Sequence, residues 1–189
     1  MKTIIEKAKE KFLKMVKDFG SDPYHLLPHV PEVEKWADCM LRRYPEADRG
    51  VILLSVWLHD IGHYPPSETD HAVISEEIAK KFLEKQNYPR DKMDKVLHCI
   101  RSHRCRDVLP RTFEAKMMAF MDSASHLTTP VYFDMARQDK EKKEPFRAFA
   151  KLERDMRDLS YFPKDKQVLK ELSNAWERLL KAYEKIEMD

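Results

Sequence analysis

Apolar residues recur along this chain at three- and four-residue steps, the spacing that gathers side chains on one stripe of an α-helix. Between Thr3 and Phe19 the stripe is Ile4, Ile5, Ala8, Phe12, Met15, Val16 and Phe19, and Gly20 then closes the helix. A second helix is expected from about His29 to Tyr44, with Pro28 and Pro31 near its start, where a missing amide hydrogen does least harm. Its inward face is Val33, Trp36, Ala37 and Met40. Asp48 is placed to cap a third helix whose run from Val51 to Leu58 is almost wholly apolar, and Gly62, Pro65 and Pro66 keep it from continuing far beyond Asp60.

Further helices follow from the same period. Asp70 can cap one from His71 to about Gln86, and Asp91 can cap another through Val96, Leu97 and Ile100. Thr112 precedes a sixth through Ala115, Met118, Ala119 and Asp122, and Thr129-Pro130 has the order that starts a seventh. Two charge-rich segments, Pro145 to Leu159 and Pro163 to Ile186, complete the series, and the charged run 138–144 reads as a solvated loop or helix end. No segment alternates with period two. The chain is therefore expected to be all-α, and without a repeat or a Gly/Ser linker its 189 residues are expected to form one domain.

Composition narrows the function. With 42% apolar and 36% charged residues the chain can bury a core beneath a strongly solvated surface, which excludes disorder. Its 35 basic and 33 acidic residues leave a net charge of +2, so neither a nucleic acid nor a membrane surface is the expected partner. Only three glycines occur, Gly20, Gly50 and Gly62, which excludes the glycine-rich phosphate loops and the nucleophile elbow of serine hydrolases. Three cysteines without CxxC spacing fit reduced thiols, and the charge-interrupted N-terminus does not read as a signal peptide. The cytoplasm is the expected location; self-association is left open.

Eight histidines carry the candidate chemistry: His25, His29, His59, His63, His71, His98, His103 and His126. Neutral imidazole binds divalent transition metals, and a carboxylate adds charge and can bridge two ions. The sharpest pair is His59-Asp60 at the end of the apolar helix, where adjacent side chains diverge by about 100° and can grip one ion from neighbouring directions.

In chain order the helices present PHVPEVEKWA, WLHDIGH, DHAVISEEIAKKFL, VLHCIRSHR and EAKMMAFMD. This order resembles the HD-domain superfamily of metal-dependent phosphohydrolases, over roughly Pro28 to Leu127, with 128–189 as a C-terminal helical extension. The resemblance implies a first metal held by His29, His59, Asp60 and Asp122, with coordination positions left for water. It implies a second ion held by His71 and one of His98 or His103, with Asp60 as the bridge. His98 and His103 are five residues apart and would diverge by about 140° on one helix, so one ion would not take both; His103 matches the family better.

His63 either assists at the phosphate or leaving group or merely ends its helix. Asp60 and His63 are thus the catalytic candidates, and Arg101 and Arg104, in a cluster with Arg106 and Arg111, are the candidates for holding phosphate oxygens. One departure stands out: many relatives carry a second acid two residues after the last metal aspartate, where this chain has Ala124, and His126 is a candidate for that space. The expected activity is hydrolysis of a phosphate ester in a nucleotide or another small phosphorylated metabolite. One or two divalent ions (Fe, Mn, Ni, Co, Zn or Mg) would supply a metal-bound hydroxide as nucleophile. A di-iron oxygenase of related fold and a non-catalytic ligand-binding module are the alternatives.

Overall fold

The computed structural model describes residues 2–186. Among these residues there are nine α-helices and two 3₁₀ turns, and no strand. The helices are α1 (Ile4–Phe19), α2 (Leu26–Arg43), α3 (Arg49–Leu58), α4 (His71–Lys85), α5 (Arg90–Ser102), α6 (Phe113–Leu127), α7 (Val131–Glu141), α8 (Arg147–Asp158) and α9 (Pro163–Glu184).

Helices α3 and α6 form the centre, and both are buried nearly all round. Every residue from Val51 to Leu58 is buried in α3, as are Met117 to Met121 and Ser123 to Leu127 in α6. A helix with no solvated face is held by neighbours on every side. For α3 these are α1, α2, α5 and α6, with a smaller contact to α4; Phe12 of α1 meets the Trp57 ring edge-on at 5.6 Å, so the first helix backs the helix that ends on His59. For α6 they include α2, α5, α8 and α9. One apolar cluster runs from Ala8 in α1 to Leu180 in α9. The extension is pinned to the rest by Tyr44 Oη, which donates to buried Asp165 at 2.6 Å, and by Trp176 Nε1, which donates to the Leu127 carbonyl at 2.8 Å.

Two helix ends differ from the sequence expectation. Helix α2 begins at Leu26, three residues before His29, because the Asp22 carboxylate accepts from the amides of Leu26 and Leu27, both at 2.8 Å, and so caps the helix from outside. His25, the residue before the helix, has a left-handed backbone with φ of 55°. Helix α6 continues past Asp122 to Leu127, which sets His126 one turn beyond Asp122 on the same face.

Candidate metal centre

The centre is assembled from helix ends. His59 is the first residue after α3, and its ring Nδ1 lies 2.8 Å from the Val56 carbonyl three residues back. His103 repeats the arrangement at the end of α5, with Nδ1 2.7 Å from the Ile100 carbonyl. A carbonyl only accepts, so Nδ1 carries the hydrogen in both rings and the neutral ring turns its Nε2 lone pair inward. His29 in α2 has Nδ1 3.1 Å from the Ser125 hydroxyl and Nε2 3.1 Å from Asp122 Oδ1. His71 opens α4 directly after the capping residue Asp70.

Asp60 stands between these rings, and its two oxygens divide them. Oδ2 lies 3.3 Å from His59 Nε2 and 3.5 Å from His29 Nε2, while Oδ1 lies 3.2 Å from His71 Nε2 and 3.5 Å from His103 Nε2. On each side the paired Nε2 atoms are 3.3 Å apart, His29 with His59 and His71 with His103. Asp122 joins the first side only, with Oδ1 3.6 Å from His59 Nε2. His59, Asp60 and His103 are buried.

Lone pairs and carboxylate oxygens facing one another at these distances repel unless positive charge sits among them. Two observations report that demand. Asp60 Oδ1 is buried with no aligned hydrogen-bond donor. Burial works against charge on His59, yet the carboxylates of Asp60 and Asp122 push it up to about 10. Burial also opposes ionisation of those two carboxyls, but the surrounding histidines hold both well below the usual carboxylate range. The residues thus fit divalent cations: one group of His29, His59 and Asp60 and another of Asp60, His71 and His103 each offer ligand atoms within 4.8 Å of one another.

The remaining candidates separate clearly. His63 stacks on His71 with ring centres 3.8 Å apart, borders the cavity above the centre, and has its imidazole pushed down to about 4 by burial. His98 lies outside: its Nε2 accepts from the Arg111 amide at 3.0 Å. Arg104 borders the cavity and pairs with Asp70, whereas Arg101 pairs with Asp107 and is not part of the lining. His126 stacks on His29, centres 5.0 Å apart and planes within 4°, and a third group of possible ligands, His29, Asp122 and His126, includes it.

The extension supplies residues that the sequence did not single out. Asp155 of α8 is buried, accepts from Tyr132 Oη at 2.6 Å and lies 3.3 Å from His126 Nδ1. Burial of aspartate is costly without such partners, and His126 Nδ1, buried beside it, makes no aligned hydrogen bond of its own. The cavity of about 540 Å³ has the centre as its floor and α7 and α8 as part of its wall. The signal was present in α8, where Arg147, Lys151, Arg154, Asp155 and Asp158 recur at helical steps on one face.

An all-α fold whose central buried helix ends on a His-Asp pair, ringed by histidines from three other helices, defines a metal-centre protein of the His-Asp class. The HD-domain family model matches residues 26–127, from the first residue of α2 to the last of α6 and more than half of the chain, and the chain belongs to that family. The family is of the metal-dependent hydrolase type. Comparison with curated proteins and with solved structures returned no match. Among the described residues no helix is long and apolar enough to cross a membrane.

Proposed function

We propose that this protein is a metal-dependent phosphohydrolase acting on a nucleotide or another small phosphorylated metabolite. The observation that carries the reading is the division of Asp60, one oxygen toward His29 and His59 and the other toward His71 and His103, at the floor of a cavity bordered by arginines. His29, His59, Asp60 and Asp122 would hold one ion, and Asp60, His71 and His103 a second. Divalent ions in such a site lower the pKa of coordinated water and neutralise phosphoryl oxygens. Asp60 and Asp122 remain ionised at neutral pH, Arg104 turns the N–H groups not engaged by Asp70 to the phosphate, and His63 at the cavity edge, neutral at pH 7, offers a ring N–H to the leaving oxygen. Residues 1–189 act as one domain, because α8 walls the cavity that α2–α6 floor. Free Cys39, Cys99 and Cys105 favour the reducing cytoplasm.

The test is metal analysis of protein purified without chelator, with phosphate release and oxygen uptake followed on a panel of phosphate esters. Two ions per chain and phosphate release, both lost in Asp60→Ala, are expected. Oxygen uptake without phosphate release, or a metal-free protein that no divalent ion activates, overturns the assignment.

A further inference from the structure

Above its acidic, imidazole-lined floor the cavity has a basic wall. Arg104 and Arg106 come from the segment after α5, and Arg147, Lys151 and Arg154 project from α8. Three of these five are already neutralised. Arg104 pairs with Asp70, Arg147 holds buried Asp139 through Nε at 2.6 Å, and Lys151 lies 3.5 Å from Asp155. Arg106 and Arg154 are different: among the described residues neither has a carboxylate within 4.0 Å.

These two guanidiniums border the same cavity, whose floor is the metal centre. Arg106 is held below its ordinary value, first by burial and then by the positive charges of Arg104 and Arg154. Asp70 and Asp107 act in the opposite sense on Arg106, but each is paired elsewhere, with Arg104 and Arg101. Asp155 is committed to Tyr132, His126 and Lys151; burial and the neighbouring Asp155 push the Asp158 carboxyl up to about 6; Asp134 faces the cavity from α7 without an ion pair. Arg106 is exposed and Arg154 half-buried, and two unpaired guanidiniums bordering one cavity favour an anion between them. Planar guanidiniums suit phosphoryl oxygens, which accept two parallel N–H bonds.

We infer that Arg106 and Arg154 form a second anion subsite, so that the substrate carries two phosphoryl groups, one at the metal centre and one on this pair of guanidiniums. The inference rests on the phosphohydrolase reading and deepens it: the substrate class is a diphosphate, triphosphate or bisphosphate rather than a monoester. Arg106 lies within residues 26–127 and Arg154 beyond them, so the family core and the extension set this preference together. Monophosphates fill the floor and leave the subsite empty.

The test is calorimetric titration of the metal-loaded full chain, in excess free Mg²⁺ so that the probes strip no ion, with orthophosphate, pyrophosphate and tripolyphosphate. Phosphate release from esters is measured on the same samples. Pyrophosphate or tripolyphosphate should bind at least about tenfold more tightly than orthophosphate, as expected for added charge-assisted bonds. Arg106→Gln and Arg154→Gln should each remove most of that preference while orthophosphate affinity and melting temperature hold; Arg178→Gln, on an exposed part of α9, should change nothing. Equal affinity for all three probes, or a preference that survives both substitutions, overturns the subsite. If discrimination is seen but no ester releases phosphate, the subsite stands and the hydrolase reading falls; hydrolysis of monoesters without discrimination gives the converse.

Discussion

Replacing Gly62 by alanine should open the second half of the metal centre. Gly62 lies in the 3₁₀ turn Ile61–His63 just after Asp60, and its backbone presses against the first turn of α4. A Cβ there would stand 2.4 Å from the His71 carbonyl oxygen, 2.6 Å from the Ser75 nitrogen and 2.9 Å from Ile74 Cβ. Two of these three atoms are helix backbone, which cannot swing aside as a side-chain tip can. Restoring an ordinary contact near 3.4 Å requires α4 to retreat by about 1 Å at His71. That is several times the tolerance of about 0.2 Å on metal–ligand distances. The retreat also stretches the buried bond from the Gly62 amide to Ser75 Oγ, now 2.8 Å. Overpacking costs about 1–3 kcal/mol and the weakened bond about 1 kcal/mol, so the melting temperature should fall by on the order of 10 °C. Metal analysis should show loss of the ion assigned to His71 and His103 with the other retained. Gly62→Ala protein that keeps both ions and melts within about 1 °C of wild type would refute the close-approach argument.

Three other outcomes are expected. His103→Ala should lose one ion per chain by elemental analysis while His98→Ala loses none, since His98 faces the Arg111 amide instead; equal losses would contradict the geometry. Trp57→Ala should destabilise the chain by about 3–5 kcal/mol in denaturant unfolding, because the fully buried ring locks α1 onto α3. Asp48→Ala should cost about 1 kcal/mol through loss of the α3 cap, whose oxygen accepts from Gly50 and Val51 at 2.9 and 3.2 Å. Burial opposes it, but Lys92 and those amides depress the Asp48 carboxyl below its ordinary 3.8. Its contribution is therefore full above that value and lost as pH falls through the lower folded value, and the gap between wild type and Asp48→Ala should close on acidification.

The helical architecture was legible because burial imposes its period directly: the apolar stripe of Ile4 to Phe19 and the continuous run of Val51 to Leu58 name the faces they bury. Helix α2 was misplaced at its start because its cap, Asp22, acts from four residues outside, where no local preference for a capping residue applies. The grouping of His29, His59, Asp60 and Asp122 was readable from motif order rather than from spacing. No local rule could bring together residues that distant in sequence. The separation of His98 from His103 did follow from helix geometry, and the structure places His103 in the cluster. The basic wall of α8 was missed for the opposite reason. Charged residues on a helix usually face water, and only the packing of α8 on α6 shows that Lys151 and Arg154 border a cavity while Asp155 is buried. Arg101, singled out in the same cluster as Arg104, turns away to Asp107 because the chain leaves α5 directly after Ser102.

The rings of His59 and His103 are held by carbonyls of their own helices, and that of His29 by a serine of α6, all contacts that owe nothing to a bound ion. Unlike in small zinc domains, where the ion organises the chain, loss of a bound ion would therefore leave the ring positions held, although the carboxylates and imidazoles would then repel or take up protons. Ion binding adds to the stability of an already folded protein by mass action, growing with the logarithm of free metal. Demetallation with a chelator is then expected to be reversible, and different divalent ions to exchange through one unchanged fold. A scaffold that stands without an ion would leave the identity of a bound metal to be set by supply as much as by the cage.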